Sequence, residues 1–297
     1  MKEFFKVFFL ASLCLCVFGT AMVSAAPKKD KAIVAVSFGT TFDEARTNDI
    51  GGIENALKAA FPNRDFYRAF TSYIVMERLE KNKGIKVQDL PNVLEQLKKD
   101  GYKDILIQPT HLLHGEEFEI KVMPTVKKFQ KQFDRVIVGN PLMTNDEDFA
   151  IAASAVATQF PILEKGEGIV LMGHGSPRNN NKSFGRTYNI LQKCFDDIGL
   201  PVVVGVVEEV DSPNVHAVLE LVKARGYKTV HMFPLMIVAG DHAHNDMYGS
   251  EEDSWKTLIE AMGVKTISHM GGIGRNVAIQ NIYVQHAVAA EAQGTTY

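Results

Sequence analysis

Histidines and carboxylates occur together in two short segments of the second half of the chain. In Gly173-His174-Gly175-Ser176 an imidazole lies between two glycines, which allow a tight turn and leave the ring accessible. The segment Asp241–Asp246 holds two histidines and two aspartates, and an aspartate beside a histidine can set its tautomer at a metal site. Two imidazoles and one carboxylate are typical ligands for a divalent first-row metal. The segments therefore predict a metal that is used or passed on.

The carboxylate of this site is predicted to be Glu208 or the adjacent Glu209, which follow a run of valines. Each segment also has a simpler interpretation. His174 could be a loop histidine bonded to local backbone, the aspartates near His242 could cap a helix, and acids at a strand end are usually solvated. The residues alone leave both interpretations open.

The chain also contains an internal repeat. Residues 101–115 (GYKDILIQPTHLLHG) align without a gap with residues 226–240 (GYKTVHMFPLMIVAG), and residues 32–42 align with residues 168–178. The alignment sets Phe38 opposite His174 and Glu117 opposite His242. Two similar halves with imidazoles in only one of them predict a cleft between the halves.

Continuous apolar runs alternate with helical patterns through both halves, which predicts parallel strands covered by helices on both faces. We therefore predict an α/β fold of two similar doubly wound parallel-sheet lobes, residues 26–160 and 161–297, with the metal site on the second. His174, Glu208 and His242 all follow predicted strands, and ligands bind beyond the carboxyl ends of such strands. The predicted strands are 32–37, 64–70, 104–108, 135–138, 168–172, 201–207, 228–233 and 264–268, and the predicted helices are 50–60, 93–99, 119–133, 183–198, 213–225, 249–262 and a last one from Asn276 that packs on the first lobe.

The first 25 residues have the pattern of a secretory signal peptide. Lys2 and Lys6 precede an apolar stretch, residues 7–18, which is shorter than the roughly 20 residues that span a bilayer. Small residues up to Ala25 predict cleavage after that position, and an uncleaved membrane anchor is the alternative. We expect a periplasmic protein that is free of the membrane after cleavage.

The predicted mature chain has a formal net charge of −4, because the signal removes +1 from the total of −3. This mildly acidic balance gives no electrostatic reason to expect nucleic-acid binding. Two of the 3 cysteines leave with the signal, so the remaining Cys194 cannot form an intramolecular disulfide.

Four segments resemble the class II tetrapyrrole chelatases, in particular the anaerobic sirohydrochlorin cobaltochelatases: Ser37-Phe38-Gly39-Thr40, Gly173-His174-Gly175-Ser176, Val207-Glu208, and Val238–Ala243 with Asn245-Asp246-Met247. The resemblance implies two α/β lobes that face a tetrapyrrole cleft. It implies a lyase that inserts Co²⁺ into sirohydrochlorin without ATP, with His174, Glu208 and His242 as metal ligands and bases. Ligation needs neutral imidazole, so activity is expected to fall in acid.

Sirohydrochlorin carries acidic side chains, so an acidic protein needs local cations and hydroxyls to bind it. Arg68 is another candidate, although a solvated surface charge explains it equally well. The sequence is compatible with a homo-oligomer. The residues predicted to bind the substrate are Thr40, Arg46, Thr71, Ser72, Ser176 and Arg178.

Three further histidines have no counterpart in the chelatase pattern. His111 and His114 could be ordinary loop histidines; the sharper hypothesis makes His114 the ligand of a second metal or an axial ligand of haem, with cover from Phe118. His244 is two residues from His242, so on an extended segment both rings would point the same way.

Two other functions compete with cobalt chelation. A secreted protein of two α/β lobes could be a periplasmic carrier of haem or metal, without turnover. A chelatase of the same class for iron or nickel would use the same residues, since site affinity follows the general order of divalent metals.

Overall fold

A computed structural model describes residues 30–176 and 185–294 of the chain. The predicted signal peptide and Arg178 lie outside the described residues. Within these ranges, two four-stranded parallel sheets with strand orders β2-β1-β3-β4 and β6-β5-β7-β8 confirm the predicted α/β class. The strands are β1 Lys31–Ser37, β2 Asp65–Phe70, β3 Asp104–Pro109, β4 Arg135–Val138, β5 Glu167–Gly173, β6 Val202–Val206, β7 Thr229–Pro234 and β8 Lys265–Ser268.

Helices cover both faces of each sheet, which explains why the strands are apolar at every position rather than at alternate ones. In β1 and β5 the six residues from the second onward are all buried. The α-helices are α1 Asp43–Ala45, α2 Gly51–Ala60, α3 Tyr73–Lys83, α4 Leu90–Lys99, α5 Met123–Phe129, α6 Asp146–Ala157, α7 Thr187–Asp197, α8 Val215–Arg225, α9 Trp255–Ala261 and α10 Val277–Gln293.

Three π-helical segments lie where the chain returns from the carboxyl end of a strand. They are Arg46–Ile50 between α1 and α2, Glu117–Val122 before α5, and Ala243–Met247 after β7. The second and third occupy equivalent places in the internal repeat. Single π-helical turns are rare and are frequently found at functional sites. The first turn contains Asp49, which contacts the second half of the chain, and the other two begin at Glu117 and next to His242, which line the cleft.

The two sheets share one continuous core. The last helix, α10, packs against α2 and β3 of the first sheet, as predicted for the C-terminal segment, whereas α6 packs against α7 of the second. One buried cluster accordingly joins Ile33 of β1, Ala153 of α6, Leu171 of β5 and Tyr283 of α10. The proposed division into two lobes at residue 160 stays a prediction. The last helix before it, α6, and the last helix of the chain, α10, each pack against the other half.

A buried aspartate fixes the two sheets relative to each other at the edge of the cleft. Asp49, in the first π-helical segment, is fully buried. Its carboxylate accepts hydrogen bonds from the amides of Ala239 and Gly272, each at 3.1 Å, and from Nε of Arg275 at 2.6 Å. A Cβ atom on Gly272 would lie 2.3 Å from the carbonyl oxygen of Ile237, so only glycine permits this close contact.

The helices α3 and α6 were not predicted, although both begin at clear N-caps. Ser72 accepts a hydrogen bond from the amide of Val75, and Asn145 forms a capping box with Asp148. Outward-facing Tyr73 and Ile74 hide the helical periodicity of α3, because both are exposed. The other predicted elements are present with shifted ends. No helix within residues 30–176 and 185–294 is long and apolar enough to cross a membrane.

Replacing Asp49 tests the junction between the sheets. Asp49→Ala leaves the Arg275 guanidinium without its buried partner and two amides without an acceptor. We expect a loss of about 3–5 kcal/mol in the free energy of unfolding, measured by chemical denaturation with Trp255 fluorescence. Glu80→Ala removes only the ion pair of Glu80 with Lys86, in which both side chains are exposed, and should leave the midpoint close to wild type. Equal midpoints for the two variants would contradict the role of Asp49.

Candidate active site

A cleft of about 470 Å³ lies between the carboxyl ends of the two sheets. The first sheet contributes the segments after β1 and β3, and the second contributes the segments after β5 and β7. In the first sheet β2 and β3 lie on opposite sides of β1, and in the second sheet β6 and β7 lie on opposite sides of β5. The strand order reverses at β1 and at β5, and ligands bind at such a switch point. The duplicated motifs of the sequence therefore meet across the cleft.

His174 follows β5 directly and lies at the surface of the cleft. Gly175, with φ of +103°, turns the chain after it, and its amide donates a hydrogen bond to the hydroxyl of Tyr188 at 3.2 Å. Nδ1 of His174 lies 3.4 Å from the carbonyl oxygen of Gly175. That oxygen can only accept, so Nδ1 carries the proton in this contact and the lone pair lies on Nε2.

His242 follows β7 and faces His174. The ring centroids lie 4.8 Å apart and the planes are nearly perpendicular. Nδ1 of His242 is 2.7 Å from Oδ2 of Asp246, one helical turn later. An ionised carboxylate accepts at that distance, so this ring also presents the lone pair of Nε2. Both imidazoles can therefore offer a lone pair on Nε2.

Glu208 is the acid that faces His174. Its Oε1 lies 3.9 Å from Nε2 of His174, and its Cβ lies 2.8 Å from where a Cβ on Gly175 would be. The adjacent Glu209 is exposed. Across the described part of the chain, no three His, Cys, Asp or Glu side chains are placed to hold an ion by themselves. The arrangement is a partial donor set that opens toward the cleft.

Asp211 supports the loop after His174. It is buried, and its carboxylate accepts hydrogen bonds from the amides of Ser176 and Gly185, both at 2.7 Å, and of Ser212 at 2.8 Å. Asp211 is therefore not a solvated acid at the end of a strand. Its carboxylate thereby holds the backbone at Ser176, two residues after His174.

Most of the cleft surface is apolar. Phe38 is about half exposed, and a flat conjugated ring system can stack on such surfaces. Arg78 of α3 also lines the cleft; its side chain is 58% exposed, and its ion pair with Asp241 spans 3.9 Å. The other apolar lining residues are Phe42, Ile50, Val75, Leu112, Leu113, Met236, Ile237 and Val238.

The predicted substrate-binding residues fall into two groups. Thr40 and Ser176 line the cleft. Thr71 and Ser72 follow β2 and are buried. Arg46 forms an ion pair with Asp43, and Arg68 pairs with the buried Glu54. The sequence analysis missed Arg78, because nothing in its helix distinguishes it from other surface arginines.

His111 lies in the first-sheet wall of the cleft, after β3. The residue is 9% exposed, and neither ring nitrogen has a hydrogen-bond partner among the described residues. Burial lowers the pKa of His111 to about 4, partly offset by the carboxylate of Glu117. Glu117 is held at one oxygen by Nζ of Lys121, 2.8 Å away. Its other oxygen, Oε2, and Oγ1 of Thr71 are also buried without partners within residues 30–176 and 185–294.

His114 and His244, the other two histidines without a counterpart in the chelatase pattern, both have partners. Nε2 of His114 lies 2.9 Å from the carboxylate of Glu119, and the ring meets Phe118 edge-on. A haem iron at His114 would compete with Glu119 for Nε2. The expectation that His244 points with His242 is wrong, because this segment is helical rather than extended. His244 instead stacks on Phe42 of the first half, with ring centroids 4.3 Å apart.

Comparison with known proteins relates most of the chain to one family. A model of the family described as cobalt chelatase (CbiK) matches residues 31–291. The sirohydrochlorin cobaltochelatase of Salmonella typhimurium is 35% identical over 256 residues, 86% of this chain and 94% of that protein. The sirohydrochlorin cobaltochelatase CbiKC of Nitratidesulfovibrio vulgaris is 25% identical over 267 residues, 89% of this chain and 92% of that protein.

Solved structures share the fold. SirB from Bacillus subtilis with Fe³⁺ superposes with a TM-score of 0.59 at 18% identity, covering 89% of this chain and 98% of that chain. SirB from Bacillus subtilis subspecies spizizenii in complex with cobalt gives a TM-score of 0.56 at 17% identity, covering 88% of this chain and 95% of that chain.

The buried state of His111 predicts a pH-dependent contribution to stability. Between pH 6.5 and pH 4 the unfolded chain binds a proton at this imidazole and the folded chain does not, so the stability present above pH 6.5 is lost as the pH falls. Between pH 7 and pH 4 the free energy of unfolding of wild type should fall by up to about 3 kcal/mol more than that of His111→Gln. Denaturation at both pH values measures this, with exposed His216→Gln as control. A difference between wild type and His111→Gln that is independent of pH would contradict the prediction.

Proposed function

Because the chain belongs to the cobalt chelatase (CbiK) family, we propose that it inserts Co²⁺ into sirohydrochlorin, without ATP, in the cleft between the two sheets. The observation that carries this proposal is the pair of His174 and His242. Both imidazoles present Nε2 lone pairs at the rim of a cleft whose other surfaces are mainly apolar.

In this proposal His174, Glu208 and His242 bind the incoming metal. Two neutral imidazoles and a carboxylate suit Co²⁺, and three donors leave coordination positions for the macrocycle. An incomplete donor set also suits a metal that must be released to four ring nitrogens. The Asp246 carboxylate keeps Nδ1 of His242 protonated and so keeps Nε2 available.

The apolar surfaces of the cleft hold the macrocycle, and polar groups at its edge hold the acidic side chains. Thr40 and Ser176 can donate hydrogen bonds to carboxylates. Arg78 adds a cation that matches a carboxylate in geometry, and its contact with Asp241 is long enough to be exchanged for a ligand. The mild negative charge of the mature chain makes such local cations necessary.

Turnover of the mature protein is the first test of the proposal. Catalytic amounts should convert free-base sirohydrochlorin to its cobalt complex many times over, as followed by absorbance without oxygen. His174→Ala and His242→Ala should each lower the rate at least about 100-fold, whereas His216→Ala, on an exposed face of α8, should not. Stoichiometric binding without turnover would instead favour a periplasmic carrier of haem or metal.

Arg78 tests the binding of the acidic side chains. Arg78→Gln should raise the KM for sirohydrochlorin about tenfold with a smaller change in kcat, since the cation binds groups remote from the reacting nitrogens. Arg46→Gln is the matched comparison, because this guanidinium already binds Asp43. A larger increase in KM for Arg46→Gln than for Arg78→Gln would show that Arg46, as the sequence predicted, binds the carboxylates of the substrate.

Three finer expectations stay as proposals. Export to the periplasm is supported by the N-terminal pattern of residues 1–25. A haem at His114 is supported by that residue's position beside Phe118, but its Nε2 is engaged by Glu119. Insertion of iron or nickel would use the same His174, Glu208 and His242, and the metal that turns over fastest in the assay distinguishes these alternatives.

A further inference from the structure

We infer that His111 is the catalytic base that accepts the pyrrole protons of the macrocycle from the wall opposite the metal ligands. This inference rests on the proposed chelatase function. It concerns a residue that the resemblance to the family leaves without a role.

Metal insertion needs a proton acceptor whose lone pair is not used by the metal. A free-base macrocycle loses two N–H protons when a divalent metal binds its four nitrogens. An imidazole nitrogen that binds cobalt has no lone pair left for a proton. In His174 and His242, Nδ1 donates to an oxygen of the protein and is already protonated. Neither ring therefore has a second lone pair while Nε2 binds the metal. Neither imidazole can therefore accept the protons, and Glu208 can do so only with an oxygen that the metal leaves free.

His111 has the features of that acceptor. It lines the same cleft as His174 and His242 but belongs to the first sheet. Its ring is buried, and within residues 30–176 and 185–294 no group bonds to either nitrogen. Buried polar atoms without partners are rare and call for an explanation. Both nitrogens are shielded from the cleft, so the ring must turn toward a bound macrocycle, whose pyrrole N–H then supplies the missing partner.

The surroundings of His111 keep it in the accepting form. Burial lowers its pKa to about 4, so the imidazole is neutral at the start of each turnover and readily releases a proton that it has accepted. The Glu117 carboxylate stabilises the cation that forms, and its unpartnered Oε2 can take the proton onward. Lys121 holds the other oxygen of Glu117 at 2.8 Å.

The proton steps balance without any oxidation or reduction. Each N–H bond breaks with its electron pair left on the ring nitrogen, and that pair forms the bond to Co²⁺. The proton passes to His111 and then to solvent, and the same step repeats for the second N–H. One Co²⁺ enters and two protons leave in each turnover.

Two substitutions at His111 test the inference. His111→Gln and His111→Ala should each lower kcat at least about 100-fold, while the Kd values for Co²⁺ and for sirohydrochlorin stay within about threefold of wild type. Imidazole added to His111→Ala should restore turnover, because the open cleft admits it and it can supply the missing base. Exposed His216→Ala should show neither the loss nor the rescue.

The results separate this inference from the proposed function. Wild-type protein without turnover would overturn the chelatase proposal itself. A wild-type enzyme that turns over, together with a His111→Gln variant of unchanged kcat, would overturn only the role of His111. So would a loss that appears mainly in the two Kd values, or a folded His111→Ala variant that binds both substrates and is not restored by imidazole.

Discussion

The geometry of the cleft depends on a single buried carboxylate. Asp49 belongs to the first half of the chain, and all three of its partners belong to the second. A buried charge must be compensated, so its hydrogen bonds fix the position of Ala239, three residues before His242. This contact holds the wall that carries Thr40 and His111 in register with the wall that carries His174 and His242.

The duplication has divided the chemistry between two walls of the same shape. After β7 the chain enters a π-helical turn at His242, and after β3 the equivalent turn begins at Glu117. One turn presents an imidazole with its lone pair toward the cleft, and the other a carboxylate with an unpartnered oxygen. A flat macrocycle between these walls would meet metal ligands on one face and proton acceptors on the other.

Sequence reasoning reached the sheets, and it selected the two histidines that meet at the cleft, because both depend on local patterns. Uninterrupted apolar runs identify buried parallel strands, and Gly173-His174-Gly175 follows such a run directly. Properties that depend on tertiary packing could not be predicted from the sequence. The burial of Asp49 and His111, the hydrogen bonds of Asp211 and the exposure of Arg78 all arise from segments far apart in the chain. The direction of His244 was wrong because it depended on a local conformation, helical rather than extended.

The crossing of α6 and α10 bears on how the two halves came to differ. Each half sends its last helix to the other half, as in a dimer whose subunits have exchanged an identical element. Such a dimer of identical chains would carry the same residue on both walls. With both copies in one polypeptide the two positions can differ, and Phe38 stands opposite His174 in the repeat. The exchanged helices also mean that neither half could now be separated without exposing core surface.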